Sequence, residues 1–153
     1  MFRPMRRKDR EVSKEIAYEI LKESEYGILS TIGDDGYPYG IPLSHVLIGD
    51  NIYFHAAKVG YKIDNINKNN KVSYCAIKDT KVLPSEFATD YKSVVLFGKV
   101  EEVVEDEKIN ALKELINKYS KGFEKEGMDY INRSAQNTSV FKIKITHITG
   151  KVR

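Results

Sequence analysis

The chain has 153 residues, 41% of them hydrophobic and 31% charged, which fits one globular domain with a single sizeable core and leaves no room for a second. No run of about 18 apolar residues is available to span a membrane, and the net charge of +3, with both signs mixed throughout, gives no electrostatic case for nucleic acid. One cysteine, Cys75, excludes an internal disulfide, and three histidines spread along the chain form no cluster with metal-ligand spacing.

The first fifteen residues, MFRPMRRKDREVSKE, are basic but lack an apolar stretch, so they do not read as a secretory signal, and a cytoplasmic location is expected. Ile16, Ala17, Ile20 and Leu21 recur at helical spacing between Ser13 and Ser24, with Ser13 placed to cap and Glu15 in the first turn. A strand follows from Tyr26 (YGILSTI). The turn GDDG at 33–36 leads into a second strand, YPYGIPLSHVLI, and GDN at 49–51 leads back into a third, IYFHA. Pro38 and Pro42 each remove a backbone donor, so the second strand is expected at an edge or broken by bulges, with backbone groups left free.

The hairpin can be taken further. A three-residue loop at Gly49–Asn51 pairs Ile48 with Ile52, Val46 with Phe54 and His45 with His55. That register puts His45, Leu47, Tyr53 and His55 on one face. Val46, Ile48, Ile52 and Phe54 then form the more apolar face and the expected core. The histidine face is either a solvated barrel exterior or a functional edge, and without a third ligand it makes no zinc site.

Beyond Lys58, GYKIDNINKNN carries Ile63 and Ile66 and reads as a short helix. Strands KVSYCAI and YKSVVLFGKVEEVV follow, with a loop around Pro84 between them. Cys75 reads as a buried structural thiol. A helix is predicted over 106–119, with Ile109, Leu112, Leu115 and Ile116 on one face. After a Gly-containing loop, SVFKIKITHI alternates as a last strand, in which His147 shares an apolar face with Phe141, Ile143 and Ile145 and reads as a packed or interface histidine. Six strands with few helices between them indicate a mainly β fold, a small antiparallel barrel with peripheral helices. The barrel covers about 26–104 and 138–150.

YFHAAKVGYK, at 53–62, is the stretch that suggests a ligand. Ala56 and Ala57 let a ligand approach the backbone, Gly60 permits a turn, and a helix starting there aims its free amides outward. Lys62 in the first turn is unfavourable for the helix itself, and a bound anion would offset that conflict. Spacing alone leaves Lys62 as either an ordinary exposed lysine or an anion ligand.

From Tyr26 to Val104 these motifs, in this order, resemble the FMN-binding split barrel of the pyridoxamine 5'-phosphate oxidase superfamily. The run of strand, His, small residues, Gly, Lys and helix is similar to its nitroimidazole-resistance (Nim-type) branch, and YKSVVLFGKVEEV and the terminal ITGK match more loosely. The resemblance implies a six-stranded split barrel that binds FMN as a homodimer, with the flavin site at the subunit interface. It places Ile41, Pro42, Leu43, Ser44 and His45 along the flavin, His55 and Ala56 where the ribityl phosphate begins, Lys62 on the phosphate, and Ser93 as a further cofactor contact. His55 is the candidate catalytic side chain, as proton donor or orienting group. Tyr61 stands where the true oxidases carry an arginine, and no arginine-rich C-terminal segment is present, which argues against vitamin B6 oxidation.

The resemblance implies an FMN-dependent reductase of small organic acceptors, nitroaromatics among them. The alternative is a protein that binds or stores FMN, or a related haem or deazaflavin, without turnover. No Gly-x-Gly-x-x-Gly fingerprint follows a strand, so a nicotinamide would have to dock transiently. A plain interaction module would explain neither the proline-broken strand nor the cation at the helix start.

Overall fold

The computed structural model describes all residues, Met1–Arg153. Its elements, in chain order, are β1 (Glu11–Val12), α1 (Lys14–Glu23), β2 (Gly27–Ile32), β3 (Pro38–Leu43), β4 (Val46–Ile48), β5 (Asn51–Ala57), α2 (Tyr61–Lys68), β6 (Lys71–Leu83), β7 (Ala88–Val103), α3 (Glu105–Tyr119), α4 (Glu124–Ser134) and β8 (Thr138–Val152). The strands form one antiparallel sheet in the order β3-β2-β6-β7-β8-β5-β4, with β1 added to β8. The two free edges, β3 and β4, are the halves of the proline-containing segment. The sheet is thus a barrel split at the break in one strand. Six predicted strands become eight because that segment divides at Ser44–His45 and because Glu11 and Val12 pair with Lys151 and Gly150. No helix is long and apolar enough to cross a membrane.

Alternation builds the interior. Leu29, Ile52, Phe54, Val72, Tyr74, Val94, Leu96, Phe141 and Ile143 point inward, and α1 contributes Ala17, Ile20 and Leu21. Ser13 caps α1 by accepting from the Ile16 amide. On the far side, α2 docks on β2 through Ile63, Ile66 and buried Asn65, whose side-chain amide donates to Thr31 Oγ1 at 3.0 Å. A second, smaller core lies outside the barrel, where Ala111 and Leu115 of α3 cover Val46, Tyr53, Val103 and Val140. At its rim, Glu107 takes hydrogen bonds from the Tyr53 hydroxyl and the Lys142 ammonium, at 2.8 and 2.7 Å.

Three expectations fail here, each for a local reason. The β4–β5 loop has two residues, because Gly49 at φ +60 starts a tighter turn, and the register becomes Val46↔Tyr53, Leu47↔Ile52 and Ile48↔Asn51. This slip dissolves the His45–His55 pair and splits the supposed apolar face: Ile52 and Phe54 enter the barrel while Val46 meets α3. The supposed Gly-containing loop holds the helix α4. It is amphipathic but short, buries only Ile131 and carries Gly127 in its interior, a residue that reads as a loop signal. Finally, β7 and β8 slip register between Phe97↔His147 and Gly98↔Ile145, leaving Thr146 as an extra residue. His147 is packed, as expected, but on the outer face, stacked on Phe2 at 4.8 Å, and Ile148 takes the inward place.

Cys75 is half-buried rather than fully enclosed, and burial raises its thiol pKa.

Candidate functional site

The break between β3 and β4 is held by side chains. His45 is fully buried; its Nε2–H donates to the Leu21 carbonyl at 2.8 Å, which makes Nδ1 the acceptor for the Tyr74 hydroxyl at 2.6 Å. The same hydroxyl lies 3.1 Å from the Leu43 carbonyl. The Tyr119 hydroxyl accepts from the His45 amide at 3.0 Å and donates to the Glu25 carbonyl at 2.6 Å. Lys118 Nζ donates to the carbonyls of Ser24 and His45 at 2.8 and 2.9 Å. The backbone groups freed at Leu43 and His45 are therefore occupied by β6 and α3, while α1 binds the His45 ring.

Burial, and then the charge of Lys118, lower the His45 pKa to about 4, so the ring is neutral at pH 7. Lys118 is itself lowered by burial to about 8. His45 contacts protein with both ring nitrogens. Its side chain is thus engaged within the chain as an internal clamp, with both ring nitrogens bonded, where the resemblance suggests a flavin contact.

The neighbours of His45 face differently. Ile41 and Leu43 pack inward against the barrel core, while Pro42 and Ser44 are exposed. β3 pairs only with β2, through Ile28↔Pro42 and Gly27↔Leu43, so its other edge is unpaired. Ser44 opens into a cavity of about 330 Å³ that it shares with His55 and Thr138 and that α3 and α4 roof over. Ser44 and His55 are brought together by this cavity.

His55 lies on β5 opposite Val140, with its side chain exposed toward that space. Desolvation, and then the nearby charge of Lys62, lower its pKa, so it too is neutral at pH 7. Ala56 is turned into the barrel and buried, and its backbone is paired to Ser139, which leaves it no contact beyond the strand surface.

α2 starts with Gly60 at φ +145, a conformation that side chains resist, and no side chain caps the helix. Lys62 is half-buried in the first turn and forms no ion pair. The Tyr61 ring packs against that of Tyr39 of β3, tilted by 36° with centroids 4.3 Å apart, which ties the helix start to the edge strand. Uncapped amides, a permissive glycine and an unpaired ammonium beside a free strand edge suit a phosphate with an attached planar group.

Ser93 is not part of this assembly within one chain. The registers Pro42↔Ile28, Ile28↔Cys75, Cys75↔Val95 and Ser93↔Ile77 put Ser93 on the same outer sheet face as Pro42, but three strands away, a separation of about 14 Å. That face also exposes Ile77, Val95 and Phe97. The residues that sequence reasoning missed are Tyr74, Lys118, Tyr119 and the lining residues of α4. Nothing in their local pattern separates them from ordinary amphipathic positions.

No functionally curated protein matches the chain. Among solved structures, it is similar to a candidate 5-nitroimidazole antibiotic resistance protein from Bacteroides thetaiotaomicron, with 23% identity over 93% of this chain and 86% of the other, at a TM-score of 0.76. A FAD-binding protein from Mesorhizobium loti aligns at 19% identity over 94% and 95% of the two chains, with a TM-score of 0.69. A FAD- and heme-binding protein from Mycobacterium smegmatis aligns at 18% identity over 94% and 73%, with a TM-score of 0.81. At these identities the likeness is one of fold, a split barrel. The family model described as pyridoxamine 5'-phosphate oxidase matches residues 13–152, and the chain belongs to that family.

Proposed function

We propose that this chain is an FMN-binding flavoprotein that reduces small organic acceptors, nitroaromatics among them, and that it works as a homodimer in the cytoplasm. The observation that carries the reading is the start of α2, where an uncapped helix, Gly60 at φ +145 and an ion-pair-free Lys62 meet the free edge of β3. The residues fit the group: Lys62 and the first-turn amides would hold the phosphate, and Pro42 and Ser44 would border the ring. FMN, when bound, supplies a carrier that takes a hydride from a reduced nicotinamide and passes two electrons to the acceptor, which takes its protons from the medium.

The chain's own residues do the rest. The clamp of Tyr74, Tyr119 and Lys118 fixes the backbone at Ser44. His55, neutral beside Lys62, would orient the acceptor by a hydrogen bond, or relay to it a proton taken up from the medium. Exposed Ile77, Val95 and Phe97 make the outer face suitable for a second copy, and such a dimer would let Ser93 reach the flavin of the partner subunit, which it cannot reach in its own.

The second reading, a protein that holds a flavin or haem without turnover, is favoured by one feature: no charged acid or base lines the cavity next to His55. The test is the visible spectrum of the protein purified under mild conditions, with mass analysis of what heat releases, followed by anaerobic addition of reduced nicotinamide. Flavin absorption that bleaches with the nicotinamide and returns with a nitroaromatic supports the reductase. Flavin that stays oxidised supports storage, and a colourless protein that ignores added FMN removes both.

A further inference from the structure

The cavity under α3 and α4 has chemistry of its own. Seven of its twelve lining residues are hydrophobic, and the others are Ser, Thr and His; no Lys, Arg, Asp or Glu lines it. Leu112, Leu115 and Ile116 of α3 form one wall, and Tyr130, Ile131 and Ala135 from α4 and the turn after it form another. At about 330 Å³ it lies at the small end of ligand cavities, with room for one or two rings. Its width is set by the close approach of the two helices: a Cβ on Gly127 would come within 2.7 Å of Ile116 Cγ2.

We propose that this cavity is the acceptor pocket, and that it selects an uncharged planar ring bearing oxygen atoms that accept hydrogen bonds. An anion placed there would lose its hydration and meet no charged side chain in the lining. Half-buried Lys118, which adjoins lining residue Tyr119, is already engaged, with its Nζ bonded to the Ser24 and His45 carbonyls. The hydroxyls of Ser44, Ser120, Tyr130, Ser134 and Thr138 and the imidazole of His55 are the donors available to a neutral ligand. His55 faces both this cavity and the charge of Lys62, so the ligand's reacting end lies toward the proposed flavin. The acceptor role rests on the flavoprotein reading; the selectivity of the pocket does not.

The test compares nitrobenzene with 4-nitrobenzoate, one ring without and with a charge, by calorimetric titration of the wild-type chain and of Ala135→Trp and Leu112→Phe. Nitrobenzene is expected to bind at least about tenfold tighter than 4-nitrobenzoate. Each variant is expected to weaken nitrobenzene about tenfold or more while FMN affinity stays within about twofold, with circular dichroism reporting the fold of each. Equal or tighter binding of the carboxylate overturns the proposal, as does nitrobenzene affinity unmoved by both folded variants. Loss of FMN binding in folded variants also overturns it, because the cavity then belongs to the flavin. If the wild-type chain binds nitrobenzene selectively but no FMN, the flavin reading fails while the pocket stands.

Discussion

His45, just before β4, and His55, near the end of β5, belong to one hairpin, yet their surroundings are opposite. His45 is sealed at the end of the barrel, neutral, with each ring nitrogen bonded to protein. His55 is exposed on the outer face of β5, beside Lys62 and an apolar cavity. The same residue type is an internal strut in one place and a free imidazole in the other. The difference comes from register: a hairpin loop shorter by one residue turns His45 inward and away from His55. Burial and hydrogen-bond satisfaction, rather than residue type, separate scaffold from site.

The largest effect should come from breaking the strut. His45→Ala leaves the Tyr74 hydroxyl and Leu21 carbonyl without their partner and opens a void, and should cost about 3–4 kcal/mol in urea unfolding, against under about 0.5 kcal/mol for His55→Ala. Similar losses for the two would contradict the contrast.

Acid should act through the same group. Folded His45 stays unprotonated down to about pH 4, while in the unfolded chain it takes a proton near its ordinary 6.5. Between those values the unfolded state binds the extra proton, so its contribution is complete above pH 6.5 and is lost as pH falls to 4. The expected loss is about 3 kcal/mol. Urea unfolding at pH 7 and pH 4 should show this loss in the wild type and a smaller one in His45→Gln; equal losses would remove His45 as the cause.

On the site side, Lys62→Ala should weaken FMN binding by about 1.5–3 kcal/mol and leave unfolding unchanged, as measured by fluorescence titration of FMN. His55→Ala should have the smallest effect on binding, with FMN affinity changed by less than about 1 kcal/mol, and should act instead on the turnover rate and its pH profile. A variant that loses FMN but keeps its rate when saturated would make His55 a holding residue.

Much of the fold was legible because it rests on alternation. Ile52, Phe54, Leu96 and Ile143 announce their faces, and Pro38 and Pro42 announce the edge at which the barrel splits. The start of the site was legible because Gly60 and Lys62 break local rules, one by its φ and one by its charge at a helix start. The clamp was not legible. Tyr74, Lys118 and Tyr119 reach His45 only after β6 and α3 have packed, and no local pattern encodes contacts that distant. α4 was hidden by Gly127 in its interior and by its many charged residues, and the turn of His147 depends on one extra residue at Thr146.

The most direct measurement is titration of the wild-type chain with FMN and with riboflavin, which share the ring and differ in the phosphate. The phosphate cradle at Gly60–Lys62 predicts that FMN binds tighter by about 1.5–3 kcal/mol and that Lys62→Ala removes most of that gap. Equal affinity for the two ligands, or a gap that survives the substitution, would contradict it.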